Sequence, residues 1–205
     1  MIGRILGLFL LVFTGIAGAA TRPVLVLGDS LSAAYRISPD AGWVHLLEQR
    51  LQQSTPPRPV VNASISGETT AGALARLPPL LTEHKPALVV VELGANDGLR
   101  GLALPEIRTN LTRIITASRD AGAAVVLIGI ELPINYGPQY RDGLRSLYRD
   151  MAQEFNLPLV PFLLDGVALD PDLMQDDGLH PRAEGEPKVF ANVWPVLEPA
   201  LKALR

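Results

Sequence analysis

A three-layer α/β domain (αβα), with a five-stranded parallel sheet between two layers of helix, is the fold class the sequence predicts. Three observations carry it. Short runs rich in apolar and β-branched residues recur at 24–27, 60–63, 87–93, 124–130 and 159–162. The segments between them place apolar residues at helical spacing. Strand and helix therefore alternate, which calls for parallel strands with helices on both faces. The chain has 205 residues, 48% of them hydrophobic and 19% charged, enough for one such domain and too few for two comfortable ones.

Taken in order, the first strand stops at Gly28-Asp29 and delivers Ser30 at its carboxyl end. Trp43, Leu46, Leu47 and Leu51 form the stripe of a helix over 42–54, which carries His45 as a surface or boundary residue. Pro56, Pro57 and Pro59 break the chain before the second strand. A turn at 64–69 leads to a helix over about 70–81. His84 is expected in the solvated turn before the third strand, which ends in Gly94-Ala95-Asn96-Asp97-Gly98, read as a turn. Pro105 opens the next helix, Ile107, Leu111, Ile114 and Ile115 line it, and Gly122 ends it. After the fourth strand, residues 131–138 form a loop too apolar for simple solvent-facing coil. Leu144, Leu147, Tyr148, Met151 and Phe155 mark a helix, and a long loop after the fifth strand reaches His180. A proline-interrupted helical segment over about 183–204 closes the chain. For five such strands the flavodoxin-like order 2-1-3-4-5 is expected, with a switch point between the first and third strands where ligands bind. Ser30 and Asn96 both fall there.

Composition excludes several classes of function. Residues 1–20 contain one charged side chain, Arg4, so the remainder carries 17 basic and 21 acidic residues, a net charge of −4. That is no footprint for nucleic acid. Cysteine is absent, which removes disulfides, thiolate metal sites and a cysteine nucleophile. No metal site and no cofactor are expected, since no paired histidines occur at ligand spacing. Residues 1–20 read as a secretory signal peptide, with basic Arg4, an apolar run over 5–16, and small residues allowing cleavage after Ala19 or Ala20. The apolar run is shorter than the roughly 20 residues of a spanning helix. The expectation is a single domain over 21–205, exported to the periplasm or secreted, monomeric and without a stable membrane anchor.

The chemistry turns on the serine. A serine hydroxyl is a weak nucleophile until a base takes its proton, and the base needs a third group to fix its tautomer. Of three histidines, His180 is the candidate base. It follows Asp177 by three residues across Gly178, so one turn can fold the carboxylate onto the imidazole, and Pro181 biases it towards extended backbone. Gly67 can offer an unobstructed backbone N–H, and Asn96 an amide, to developing negative charge beside the Ser30 N–H. Asp29 and Asp97 are expected to be turn carboxylates bonded to local backbone.

Four segments in order, Gly28-Asp29-Ser30-Leu31-Ser32, Gly67 after Asn62-Ala63-Ser64-Ile65-Ser66, Gly94-Ala95-Asn96-Asp97, and Asp177-Gly178-Leu179-His180-Pro181, resemble the four sequence blocks of the SGNH (GDSL-type) hydrolases. Within that family the runs Glu92-Leu93-Gly94, Asn96-Asp97-Gly98-Leu99-Arg100-Gly101 and Gln175-Asp176-Asp177-Gly178 look most like the exported bacterial thioesterase I, lysophospholipase L1 and arylesterase branch. The resemblance implies Ser30 as nucleophile, His180 as base, Asp177 as its orienter, and Ser30, Gly67 and Asn96 as the oxyanion hole. It also implies a substrate groove drawing on Leu99, Arg100 and Gly101 and on Leu132, Pro133, Ile134 and Tyr136. The implied activity is hydrolysis of acyl esters and thioesters, with small-molecule acyl esters or lysophospholipids as partners. Two departures stand out: Ala95 where the branch has a second glycine, and Glu68 in place of an aspartate, expected to be a tolerated surface change. Two alternatives share the fold, a deacetylase or acyltransferase of envelope polysaccharide with the same triad, and a non-catalytic flavodoxin-like binding module.

Overall fold

A computed structural model describes residues 21–204 of the chain; the signal peptide expected over 1–20 lies outside the described residues. Five strands, β1 (Val24–Gly28), β2 (Val60–Asn62), β3 (Leu88–Glu92), β4 (Ala124–Ile128) and β5 (Leu159–Val160), pair in the order β2-β1-β3-β4-β5. Every pairing is parallel. Among the described residues, six α-helices connect and close them: α1 (Trp43–Gln52), α2 (Thr70–His84), α3 (Ala95–Leu99), α4 (Leu104–Asp120), α5 (Pro138–Glu154) and α6 (Glu186–Lys202).

The two-residue period of the strands divides the core into two halves. Leu25 and Leu27 of β1 and Val89 and Val91 of β3 point to one face, where Leu77 of α2, Ile107 and Leu111 of α4, and Leu144 and Met151 of α5 cover them. Val24, Val26, Leu88 and Val90 point to the other, under Trp43 and Leu47 of α1 and Val189 and Val193 of α6. Both faces being buried explains why β1 and β3 read as continuous apolar runs rather than alternating ones. Removing one of these side chains, as in Leu77→Ala, costs about 2–5 kcal/mol by lost transfer energy and cavity formation.

The element boundaries differ from expectation in instructive places. Helix α2 continues through Pro78 and Pro79 to His84 and ends at Lys85 in the left-handed region, so His84 belongs to the last helical turn and not to a solvated loop. Each proline removes a helix donor, yet Leu77 and Leu81 are both buried against the sheet and hold the helix across the break. Residues 95–99, read as a turn, form the short helix α3. The last helix starts at Glu186, and that first residue is buried: its carboxylate accepts the backbone N–H of Trp43, the first residue of α1, at 2.8 Å. One side chain thus ties the starts of two neighbouring helices together.

Candidate active site

The register of β1 against β3 sets Gly28 opposite Glu92, so the segments leaving these two strands begin side by side at the carboxyl edge of the sheet. Ser30 stands one residue beyond Asp29. The loop holding the histidine is braced from within and from outside. Met174 and Pro181 form an antiparallel bridge, the Gln175 N–H donates to the His180 carbonyl at 2.8 Å, and the Gln175 side-chain amide donates to the carbonyls of both Tyr35 and Pro181 at 2.8 Å. The Tyr35 ring lies 4.4 Å from the imidazole, centroid to centroid. The imidazole is therefore fixed from the serine's own side of the cleft.

That bracing brings three side chains into line. His180 Nε2 lies 2.9 Å from Ser30 Oγ, and His180 Nδ1 lies 2.8 Å from Asp177 Oδ2. The other oxygen of Asp177 accepts the N–H groups of Leu179 and His180 at 2.9 and 3.1 Å. Partial burial works against the Asp177 charge, but these N–H donors and the imidazole outweigh it and hold the carboxyl below its ordinary value. An anion at Nδ1 selects the tautomer with its proton on that nitrogen and leaves Nε2 to accept from the serine.

Gly67 and Asn96 open onto the same cleft as Ser30 and His180. Gly67 has φ of 81°, which favours glycine, and Arg100 Nη2 holds its carbonyl at 3.1 Å. Among the described residues, the N–H groups of Ser30 and Gly67 donate to no protein acceptor. Asn96 occupies the first turn of α3, and one of its amide hydrogens goes to Asp29 Oδ2 at 3.0 Å. Donors left free around one hydroxyl are what a developing oxyanion requires.

The cleft has a volume of about 400 Å³. Its walls include Leu31, Ala95, Leu99, Ile130, Leu132 and Pro133, with Phe162, Leu164 and Leu179 continuing it into a second depression that reaches Ile134 and Leu169. Of the groove residues named from the sequence, Leu99, Leu132 and Pro133 line the main cleft and Ile134 the continuation. Arg100, Gly101 and Tyr136 do not face it; the Tyr136 hydroxyl instead donates to the Leu99 carbonyl at 2.9 Å.

Three acidic residues behave differently from expectation. Asp97 is no turn carboxylate: fully buried, it accepts the Thr70 N–H at 2.9 Å and the Thr70 hydroxyl at 2.5 Å, pinning the start of α2 to α3. Asp29 keeps its local bond from the Leu31 N–H at 3.0 Å, but it also holds Asn96. Its pKa is raised to about 6 by burial, opposed by its bonds with Leu31 and Asn96 and reinforced by Asp97. Glu68 is not a free surface residue; its largely covered carboxylate takes the Arg76 guanidinium at 2.6 Å.

A parallel sheet in this order, with a serine, a histidine and an aspartate hydrogen-bonded in one cleft, is the arrangement expected of an SGNH-type hydrolase. Residues 26–186 match the GDSL-like lipase/acylhydrolase family. The chain is 50% identical over 183 residues to the esterase TesA of Pseudomonas aeruginosa, covering 89% of this chain and 91% of that one. It is 47% identical over 180 residues to thioesterase 1/protease 1/lysophospholipase L1 of Escherichia coli K12, covering 88% and 85%. Among solved structures, the psychrotrophic esterase EstA from a Pseudoalteromonas species, inhibited by monoethylphosphonate, superposes with a TM-score of 0.83 at 39% identity, covering 88% and 99%. The chain belongs to the GDSL-like lipase/acylhydrolase family, and it is an ester hydrolase.

Proposed function

We propose that the protein is an exported serine hydrolase of acyl esters and thioesters, with Ser30 as nucleophile, His180 as general base and acid, and Asp177 as the orienter of His180. The observation that carries this reading is the unbroken line from Asp177 Oδ2 through the imidazole to Ser30 Oγ, at 2.8 and 2.9 Å. Ser30 Oγ attacks the acyl carbonyl carbon as its proton passes to His180 Nε2. The new oxyanion is received by the N–H groups of Ser30 and Gly67 and by the second amide hydrogen of Asn96. Collapse expels the alcohol or thiol, which leaves with the proton from His180. A water molecule then gives its proton to the same nitrogen, attacks the acyl-enzyme, and releases the acid and the free serine.

The apolar walls of the cleft and its continuation favour an acyl chain over a carbohydrate on that side of the serine. Relatives bearing the names thioesterase and lysophospholipase support acyl thioesters and lysophospholipids as substrate classes. Export rests on the character of residues 1–20, with residues 21–205 as the mature domain; after it, membrane-derived acyl esters are the reachable substrates. No described helix is long and apolar enough to cross a membrane. A p-nitrophenyl ester series on residues 21–205, with Ser30→Ala alongside, tests the reading. Hydrolysis that rises beyond acetyl to medium chains and disappears in Ser30→Ala is expected. An acetyl-only preference points to a deacetylase, and activity surviving in Ser30→Ala overturns the assignment.

A further inference from the structure

Glu92 ends β3 directly behind the serine turn, and the steps proposed above leave it without a role. It is fully buried, an unusual place for a carboxyl. One oxygen, Oε2, receives two donors from the turn: the Ser32 hydroxyl at 2.7 Å and the Asp29 N–H at 3.3 Å. The other, Oε1, is buried with no hydrogen-bond partner among the described residues. Gly28 makes this approach possible, since a Cβ there would lie 2.8 Å from Ser32 Oγ and 2.9 Å from Glu92 Oε2.

The ionisable groups that act on Glu92 are acids: Asp29 from the serine turn and the Tyr148 phenol from α5. Among the described residues no cation is bonded to the Glu92 carboxyl. Tyr148 donates to the Leu93 carbonyl at 2.7 Å rather than to Glu92. A buried carboxylate with one oxygen orphaned and another acid beside it carries a desolvation cost that the two donors to Oε2 offset only in part. A neutral acid in the same place costs far less. Burial, and then the charge of Asp29, accordingly push the Glu92 carboxyl well above its ordinary value.

We propose that Glu92 is a positioning residue for hydrolysis, a neutral acid that fixes the turn through Asp29 N–H and Ser32 and thereby holds Ser30 Oγ against His180. Its neutrality leaves Asp29 as the one anion of the pair, available to the Asn96 amide. The same buried group thus sets both the nucleophile and one oxyanion donor. The proposal rests on Ser30 being the nucleophile.

The test is kcat per active site, with sites counted by stoichiometric labelling with a fluorophosphonate. Glu92→Gln preserves the acceptor oxygen and the neutral charge, so its kcat per site should stay within about threefold of wild type. Its pH profile should overlay the wild-type profile, because a neutral acid at this position has no charge for the amide to remove. Glu92→Ala should lose roughly ten- to a hundredfold in kcat per site through misplacement of the hydroxyl, with KM little changed. Ser32→Ala, which leaves the acid in place, should lose roughly tenfold. A merely structural role would lower the labelled fraction and leave kcat per labelled site untouched. Wild-type kcat per site in Glu92→Ala and Ser32→Ala overturns the proposal, as does a Gln variant as impaired as the Ala variant. Failure of the wild type to label overturns the Ser30 reading instead.

Discussion

Asn96 donates an amide hydrogen to the Asp29 carboxylate at 3.0 Å, across the gap between the ends of β3 and β1. The bond ties the proposed oxyanion donor to the residue preceding the proposed nucleophile, so neither can shift alone. With one hydrogen committed to Asp29, the planar amide directs the other at a fixed angle. Asn96→Ala removes the donor and leaves Asp29 short of a partner. Turnover on a p-nitrophenyl ester should fall by roughly 10²–10³, with little change in KM. Steady-state kinetics at saturating ester checks this.

Asp177→Asn tests the tautomer argument. The amide oxygen can still accept from the Leu179 and His180 N–H groups, so the loop should keep its shape. Its NH₂ would face Nδ1 and favour the tautomer whose Nε2 carries a proton, which cannot take one from Ser30. The expected loss in kcat is roughly 10²–10⁴, with thermal stability near wild type.

Asp97 is predicted to matter for the scaffold. Replacing it with alanine strands the Thr70 N–H and hydroxyl in a buried position and removes two hydrogen bonds to a carboxylate. The cost should be about 3 kcal/mol, read as a lowered midpoint in urea unfolding with an unchanged slope.

Glu186 predicts a pH dependence of stability. Burial raises its pKa from 4.5 to about 7, partly opposed by the Trp43 N–H. The folded state therefore holds the proton more tightly than the unfolded one. This contribution is complete below the unfolded value and is lost as pH rises through about 7. Glu186→Gln keeps an acceptor for Trp43 and cannot ionise. It should flatten the decline in stability between those pH values and gain at most about 3 kcal/mol over wild type above them. Thermal melts across the range provide the measurement.

The sheet was legible because its chemistry is local: runs buried on both faces must be continuously apolar, and strands parted by helices must be parallel. Ser30, Asn96 and His180 were nameable because each follows a strand or closes a turn whose residues mark the chain's direction. What escaped depends on partners far away in sequence. Residues 95–99 have the Asn-Asp-Gly composition of a turn, and nothing local reveals that Asp97 anchors the start of α2. The helix expected to end near Leu81 runs on to His84, held by Leu77 and Leu81 packed into the core. Glu92 and Glu186 look like ordinary acids until the fold surrounds them, and Arg100 looks like a groove residue until it meets the Gly67 carbonyl.

The central claim is that Ser30 is the group acylated during turnover, and locating a phosphonate adduct tests it most directly. EstA, the structural relative at 39% identity, is inhibited by monoethylphosphonate. After reaction of residues 21–205 with a fluorophosphonate, peptide mass spectrometry should place one adduct on Ser30, with activity lost in proportion to labelling. Full loss of activity with the adduct on another residue, or sustained ester turnover with Ser30 fully labelled, would contradict it.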